Sequence, residues 1–216
     1  MPDSAPDHDL HARIIDDIGN GTYPSGSRLK VQELAKRYGT SIIPVREALR
    51  TLQGEGLVEI TRNKGATVST LDADVILEIF EVLQLLEPYL VRDFAQSCRP
   101  QDLDEMEMLQ AQMIETDPTN KPAFAALDKA FHAVVARSHY NRRASAIWEL
   151  QRRSLNALAA TVPLTRSRHR ELLQEHAELL AAFRANDVEG AVACIEKHVA
   201  GAGDQMYQQL RRLRPS

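Results

Sequence analysis

Asp128 and His132 lie four residues apart in a stretch free of helix breakers, so on one helix they point the same way and could share a metal ion. His176 and His198 follow in two later helical stretches, the second of them between apolar Ile195 and Val199. One carboxylate with three imidazoles suits zinc, nickel, manganese or iron, and leaves coordination positions open for water or a small molecule. Taken alone, so scattered a set is more often surface histidines, or core histidines satisfied by hydrogen bonds.

A second chemistry sits near the N-terminus. Arg46 and Arg50 are one turn apart, Ser41, Ile42 and Ile43 precede them, and Val45, Leu49 and Leu52 supply the stripe such a helix would bury. A planar guanidinium at Arg46 can grip a guanine edge or a phosphate through two charge-assisted hydrogen bonds. Lys64 and Gly65 are placed to meet an adjacent groove, where glycine lets backbone come close. The competing reading makes Arg46 and Arg50 partners of Glu47 and Glu55 on a solvated helix.

The elements that must hold these residues follow from period and punctuation. Helices are expected from about His8 to Asn20, Val31 to Tyr38 and Ile43 to Gln53, then a strand at Leu57 to Ile60, a turn at Asn63-Lys64-Gly65 and a return strand at Ala66 to Ser69. Helix, helix, helix, hairpin is the order of a winged helix. From Leu71 onward the pattern is helical, broken at Cys98-Arg99-Pro100, Asp117-Pro118, near Asn141, at Val162-Pro163 and at Asn186-Asp187, which yields six helices. Asp72 and Asp187 are expected N-caps, and Pro88 is expected to kink the run from Ala73 to Ser97. The expected architecture is mainly α: a winged helix-turn-helix over residues 1–69 and an all-α six-helix bundle over 70–216, joined near Ser69-Thr70-Leu71-Asp72.

Composition narrows the classes. The chain has 216 residues and a formal charge of −4, but the charge is uneven. Residues 1–27 carry Arg13 against five aspartates, whereas residues 28–64 carry eight Lys or Arg against four glutamates. A basic module inside an acidic protein suits nucleic-acid binding. Cys98 and Cys194 are far apart with no C-x-x-C pair, which argues against a disulfide framework and thiolate zinc sites. No run approaches the roughly 20 apolar residues of a membrane span, and the acidic start is unlike a signal peptide, so a cytoplasmic protein with no membrane partner is expected.

The string Pro44-Val45-Arg46-Glu47-Ala48-Leu49, Leu52, Glu55-Gly56-Leu57-Val58 and Asn63-Lys64-Gly65-Ala66-x-Val68 resembles the winged helix of the GntR family of bacterial regulators. Gly21-x-Tyr23-Pro24-x-Gly26-x-x-Leu29, Glu33-Leu34-Ala35 and Tyr38-Gly39-x-Ser41 extend the match over roughly residues 10 to 69. The resemblance implies DNA contacts at Ser41, Arg46, Lys64 and Gly65, to which helical spacing from Arg46 adds Arg50. Two positions depart from it, since Ile42 and Gln32 stand where the family commonly has arginines. Their absence removes two cations and their donors, and should lower phosphate affinity and alter base choice.

Residues 70–216 resemble the all-helical, FCD-type ligand-binding domain of the FadR subfamily. Its metal-binding members use Asp-x-x-x-His and one histidine on each of two later helices; Asp128 with His132, His176 and His198 match in type and order, as does Leu86-Glu87. His139 and His169 fit none of these positions and are expected to be exposed or to bridge helices; Glu175 is expected to face away from the ligands. Leu83 replaces an arginine that many such domains use to clamp an effector carboxylate, a role left here to Arg137, Arg152 or Arg153.

The resemblance thus implies a homodimeric repressor of a metabolic operon that binds double-stranded operator DNA and is controlled by a small organic acid at or near a divalent metal. A regulator answering to the metal itself, and a metal-dependent hydrolase, are the alternatives.

Overall fold

The computed structural model describes residues 7–61, 65–69, 73–159 and 162–213. The first apolar-periodic pieces form α1 (Asp7–Gly19), α2 (Val31–Tyr38) and α3 (Ile42–Gly54). Each turns its apolar stripe inward, so Ile14, Ile18, Leu34, Val45, Leu49 and Leu52 meet in one small core. The turn between α2 and α3 depends on Gly39: its φ of 68° and ψ of 32° are left-handed, and its N–H closes on the Ala35 carbonyl.

The wing has three strands. β1 (Arg28–Leu29), β2 (Val58–Thr61) and β3 (Gly65–Val68) form an antiparallel sheet in the order β1-β3-β2, with Leu29 opposite Ala66 and Val58 opposite Val68. The hairpin was legible from its alternation. β1, two residues long, carries no period and exists only because β3 offers it a free edge.

The remaining helices are α4 (Ala73–Ser97), α5 (Pro100–Glu115), α6 (Lys121–Ser138), α7 (Arg142–Ala159), α8 (Arg166–Arg184) and α9 (Val188–Leu213). Their starts are chemically marked. Pro100 opens α5 beside an Arg99–Asp102 box, Asn120 accepts from Ala123 N at α6, Thr165 from Arg168 N at α8, and Asp187 from Gly190 N at α9. The assignment of α4 is continuous through Pro88. Helices α4 and α9 run close together; a Cβ on Gly203 would stand 3.0 Å from the Phe80 ring. Asp72 and the rest of the expected linker, Thr70 and Leu71, lie outside the described residues.

Contacts group the chain into two units, Met1–Leu71 with Arg153–Thr161, and Asp72–Arg152 with Val162–Ser216. The C-terminal part of α7 therefore belongs with the winged helix, a grouping that periodicity along the chain does not reveal. Among the described residues no helix is long and apolar enough to cross a membrane.

Candidate functional site

Four side chains from three helices converge in the second unit. Asp128 and His132 stand one turn apart on α6, His176 comes from α8 and His198 from α9, and each offers a ligand atom within 4.8 Å of all the others. Asp128 Oδ1 lies 3.5 Å from His176 Nε2 and 3.9 Å from His132 Nε2. The three histidines are buried. His176 stacks on Phe131 at a centroid distance of 4.3 Å, which fixes its ring plane.

The hydrogen bonding of this cluster is incomplete. His132 Nε2 and both nitrogens of His176 are buried without a hydrogen-bond partner. A buried polar atom left in that state costs about 1–3 kcal/mol, so three around one carboxylate point to a missing central group. Burial, reinforced by the charge of Arg152 and neighbouring histidines, holds His132 well below its ordinary range, and burial does the same to His176. Both are therefore neutral, with lone pairs available. The donor set fits a divalent metal.

Two outer carboxylates flank the histidines, one of them hydrogen-bonded to its ring. Glu87 on α4 accepts from Trp148 Nε1 at 3.0 Å and from Arg152 Nε at 2.9 Å, and its other oxygen faces His132 Nδ1 at 3.7 Å. Glu175 on α8 lies 3.0 Å from His198 Nδ1 and accepts from Arg168 Nη1 at 3.0 Å. Arg168 in turn donates to the His198 carbonyl at 3.1 Å, and Gly201 leaves its guanidinium room. Burial raises Glu175, but the hydrogen bonds from His198 and Arg168 outweigh that and bring it down to about 2. An ionised Glu175 accepts a hydrogen bond from Nδ1–H and leaves Nε2 of His198 for the cluster.

The expectation that Glu175 faces away from the ligands is thus corrected. It does point off the His176 side of α8, but α9 packs there and presents His198. His139 and His169 are likewise buried rather than exposed. His139 sits between the Tyr89 and Tyr140 rings and accepts from Asn141 N, within its own loop; His169 packs on Phe124.

The three candidate clamp arginines separate. Arg152 is buried beside the cluster, with Nη1 3.6 Å from Asp128 Oδ2. Arg137 is exposed and paired with Glu105, and Arg153 starts the part of α7 grouped with the winged helix. Leu83 is buried. Glu87, Leu90, Val91, His132, Val135 and Trp148 line a cavity of about 10 Å³, room for one water. Trp148 and Arg168 escaped the sequence reading, and Glu175 was read as facing away; nothing in their spacing announces a partner on another helix.

In the first unit, α3 exposes Ser41, Arg46 and Arg50. Ser41 is the N-cap, yet its hydroxyl makes no capping bond. Glu55, a candidate partner for Arg50, is instead held by His11 at 2.8 Å, and neither arginine has an ion pair among the described residues. Gly65 is exposed at the start of β3 with φ of 90°, and a Cβ there would stand 3.6 Å from the Arg28 guanidinium. Lys64 lies outside the described residues. Helix α2 is tied to α1 by Asp17, which accepts from Arg37 Nε at 2.7 Å and Tyr38 Oη at 2.6 Å.

Comparison with known proteins adds to this geometry. The gntR family of bacterial regulatory proteins matches residues 7–68, and the FCD domain matches residues 78–201. The galactonate operon transcriptional repressor of Escherichia coli K12 is 30% identical over 211 residues, covering 83% of this chain and 89% of that one. The uncharacterized HTH-type regulator YdhC of Bacillus subtilis is 32% identical over 133 residues, 58% of this chain and 57% of that one. The E. coli McbR/YncC structure superposes with a TM-score of 0.79 at 24% identity, over 96% of this chain and 100% of that one.

Proposed function

Because the chain belongs to the GntR family of bacterial transcription regulators and carries their FCD domain, we propose that it is a repressor of a metabolic operon whose grip on operator DNA is set by a small carboxylate bound at a metal. It is a DNA-binding regulator and not an enzyme. The observation that carries the effector half is the set of partnerless buried nitrogens on His132 and His176.

Asp128, His132, His176 and His198 would hold the metal, a zinc, nickel, manganese or iron ion. When bound, it would supply a positive centre with open positions for carboxylate oxygens. The protein's own residues do the rest. Glu175 orients His198, Glu87 stands beside His132, and the buried Arg152 offers the cation that Leu83 lacks, so we assign it the clamp in preference to Arg137 or Arg153. The cavity beside Glu87, His132 and Trp148 has room for about one water, so an organic acid entering there would shift α4, α6 and α7 around them. That shift is the differential interaction through which an effector can bias operator affinity.

A single winged helix covers one half-site. A homodimer would align two copies of α3 along the duplex, and the operator would be an inverted repeat. The galactonate operon repressor supports the repressor sign and a metabolic target. A purely metal-responsive regulator is not favoured by these relatives. The hydrolase alternative lacks a base, since Glu175 is committed to His198 and Arg168.

Metal analysis of the purified protein, followed by operator gel shifts with metal and a panel of organic acids, tests the reading. Stoichiometric metal and release of DNA by one acid, weakened in Arg152→Met, are expected. Metal-free protein that no acid stabilises or releases from DNA would overturn it.

A further inference from the structure

Helix α3 carries an outward stripe of Ile43, Arg46, Glu47 and Arg50, all exposed and spaced to share one face, opposite the buried Val45, Leu49 and Leu52. Ile43 is 68% exposed and Ile42 40% exposed. Single apolar side chains at a surface are ordinary. These two differ in their place: they are the first two residues of the helix, next to an uncapped Ser41 hydroxyl and one turn ahead of an arginine with no ion pair among the described residues. The N-terminal residues of a recognition helix are those that reach base edges.

In the major groove the specific partner of an apolar side chain is the C5 methyl of thymine, the only methyl group on an unmodified base edge there. Isoleucine is branched at Cβ and stiff at χ1, so it presents a fixed methyl surface and has little order left to gain on binding. Resting on the DNA-binding reading, we propose that Ile43, flanked by Ile42, reads thymine methyls, so that each operator half-site carries thymine where α3 enters the groove, beside the base pair or phosphate gripped by Arg46. Base choice at that step is set by burial of hydrocarbon and not by a hydrogen-bonding fork.

Replacing thymine by uracil removes that methyl and leaves base pairing intact. With the full-length protein and an operator selected from random duplexes, anisotropy titrations at fixed salt would compare single thymine-to-uracil substitutions across one half-site. Loss of one buried methyl contact should weaken binding about fourfold at one or two positions and nowhere else. Ile43→Ala should bind the thymine operator more weakly and be indifferent to uracil at the same step, with an unchanged melting temperature because the side chain is exposed; Ile42→Ala tests the flank in the same way. A uracil-indifferent operator, or discrimination that survives both variants, overturns the proposal while leaving DNA binding intact. No preference for any duplex would remove the DNA-binding reading together with it.

Discussion

His198 turns its Nδ1 to Glu175 at 3.0 Å, and the same carboxylate is gripped by Arg168, whose guanidinium also bonds the His198 carbonyl. A ligand side chain and its backbone are thereby held by one arginine–glutamate pair. His132 has a looser counterpart in Glu87 and Arg152. His176 has none: its nitrogens make no hydrogen bond, and its ring is held by stacking on Phe131 and by packing against His132 and His198.

Glu175→Gln should therefore weaken metal binding by about 10- to 100-fold, the usual effect of removing a partner that orients a ligand. Competition against a chromogenic chelator measures it. An affinity equal to wild type would deny Glu175 its orienting role.

His176→Phe separates metal loss from fold loss. The ring stack on Phe131 can persist, while two partnerless nitrogens disappear, so the metal-free variant should be more stable than the metal-free parent by about 1–2 kcal/mol. The parent should gain about 2.7 kcal/mol at a hundredfold excess of metal over Kd, and the variant should gain little. Chemical denaturation with and without metal reads both effects; a variant that gains as much as the parent would remove His176 from the ligand set.

Arg46→Ala should lose about 1–3 kcal/mol of operator affinity if the guanidinium holds a base edge, with relaxed choice at that base pair. A uniform loss across sequences with a shallower salt dependence would assign it to phosphate instead. Arg50→Ala, one turn further from the helix start, should show the smaller effect in the same titration.

The winged helix should also lose stability in acid. Burial raises Asp17, but its bonds from Arg37, Tyr38 and Asn20 outweigh this and hold it below the ordinary carboxylate range. A carboxylate depressed in the folded state stabilises above its unfolded value, about pH 4, and ceases to do so as pH falls through its folded value. Asp17→Asn should thus cost about 1–2 kcal/mol at pH 7 and progressively less below pH 4. Thermal melts of the two proteins across that range provide the measurement, and a difference independent of pH would place the effect in packing.

Much of this molecule is written locally. The stripe of Val45, Leu49 and Leu52, the alternation around Val58 and Val68, and the punctuation at Gly39, Pro100, Asn120 and Asp187 depend on near neighbours, so they announce the winged helix and six further helices before any contact is known. Asp128 and His132 belong to the same class, because four residues is one helical turn. What folding alone decided is which residues meet across helices. Glu175 was expected to face away from the ligands, and only the docking of α9 on α8 brings His198 to it; Arg152 became the arginine beside the cluster, while Arg137, on the same helix as His132, was taken by Glu105. Spacing along a chain records which face of a helix a side chain occupies, whereas its partner depends on the packing of a second helix far away in sequence.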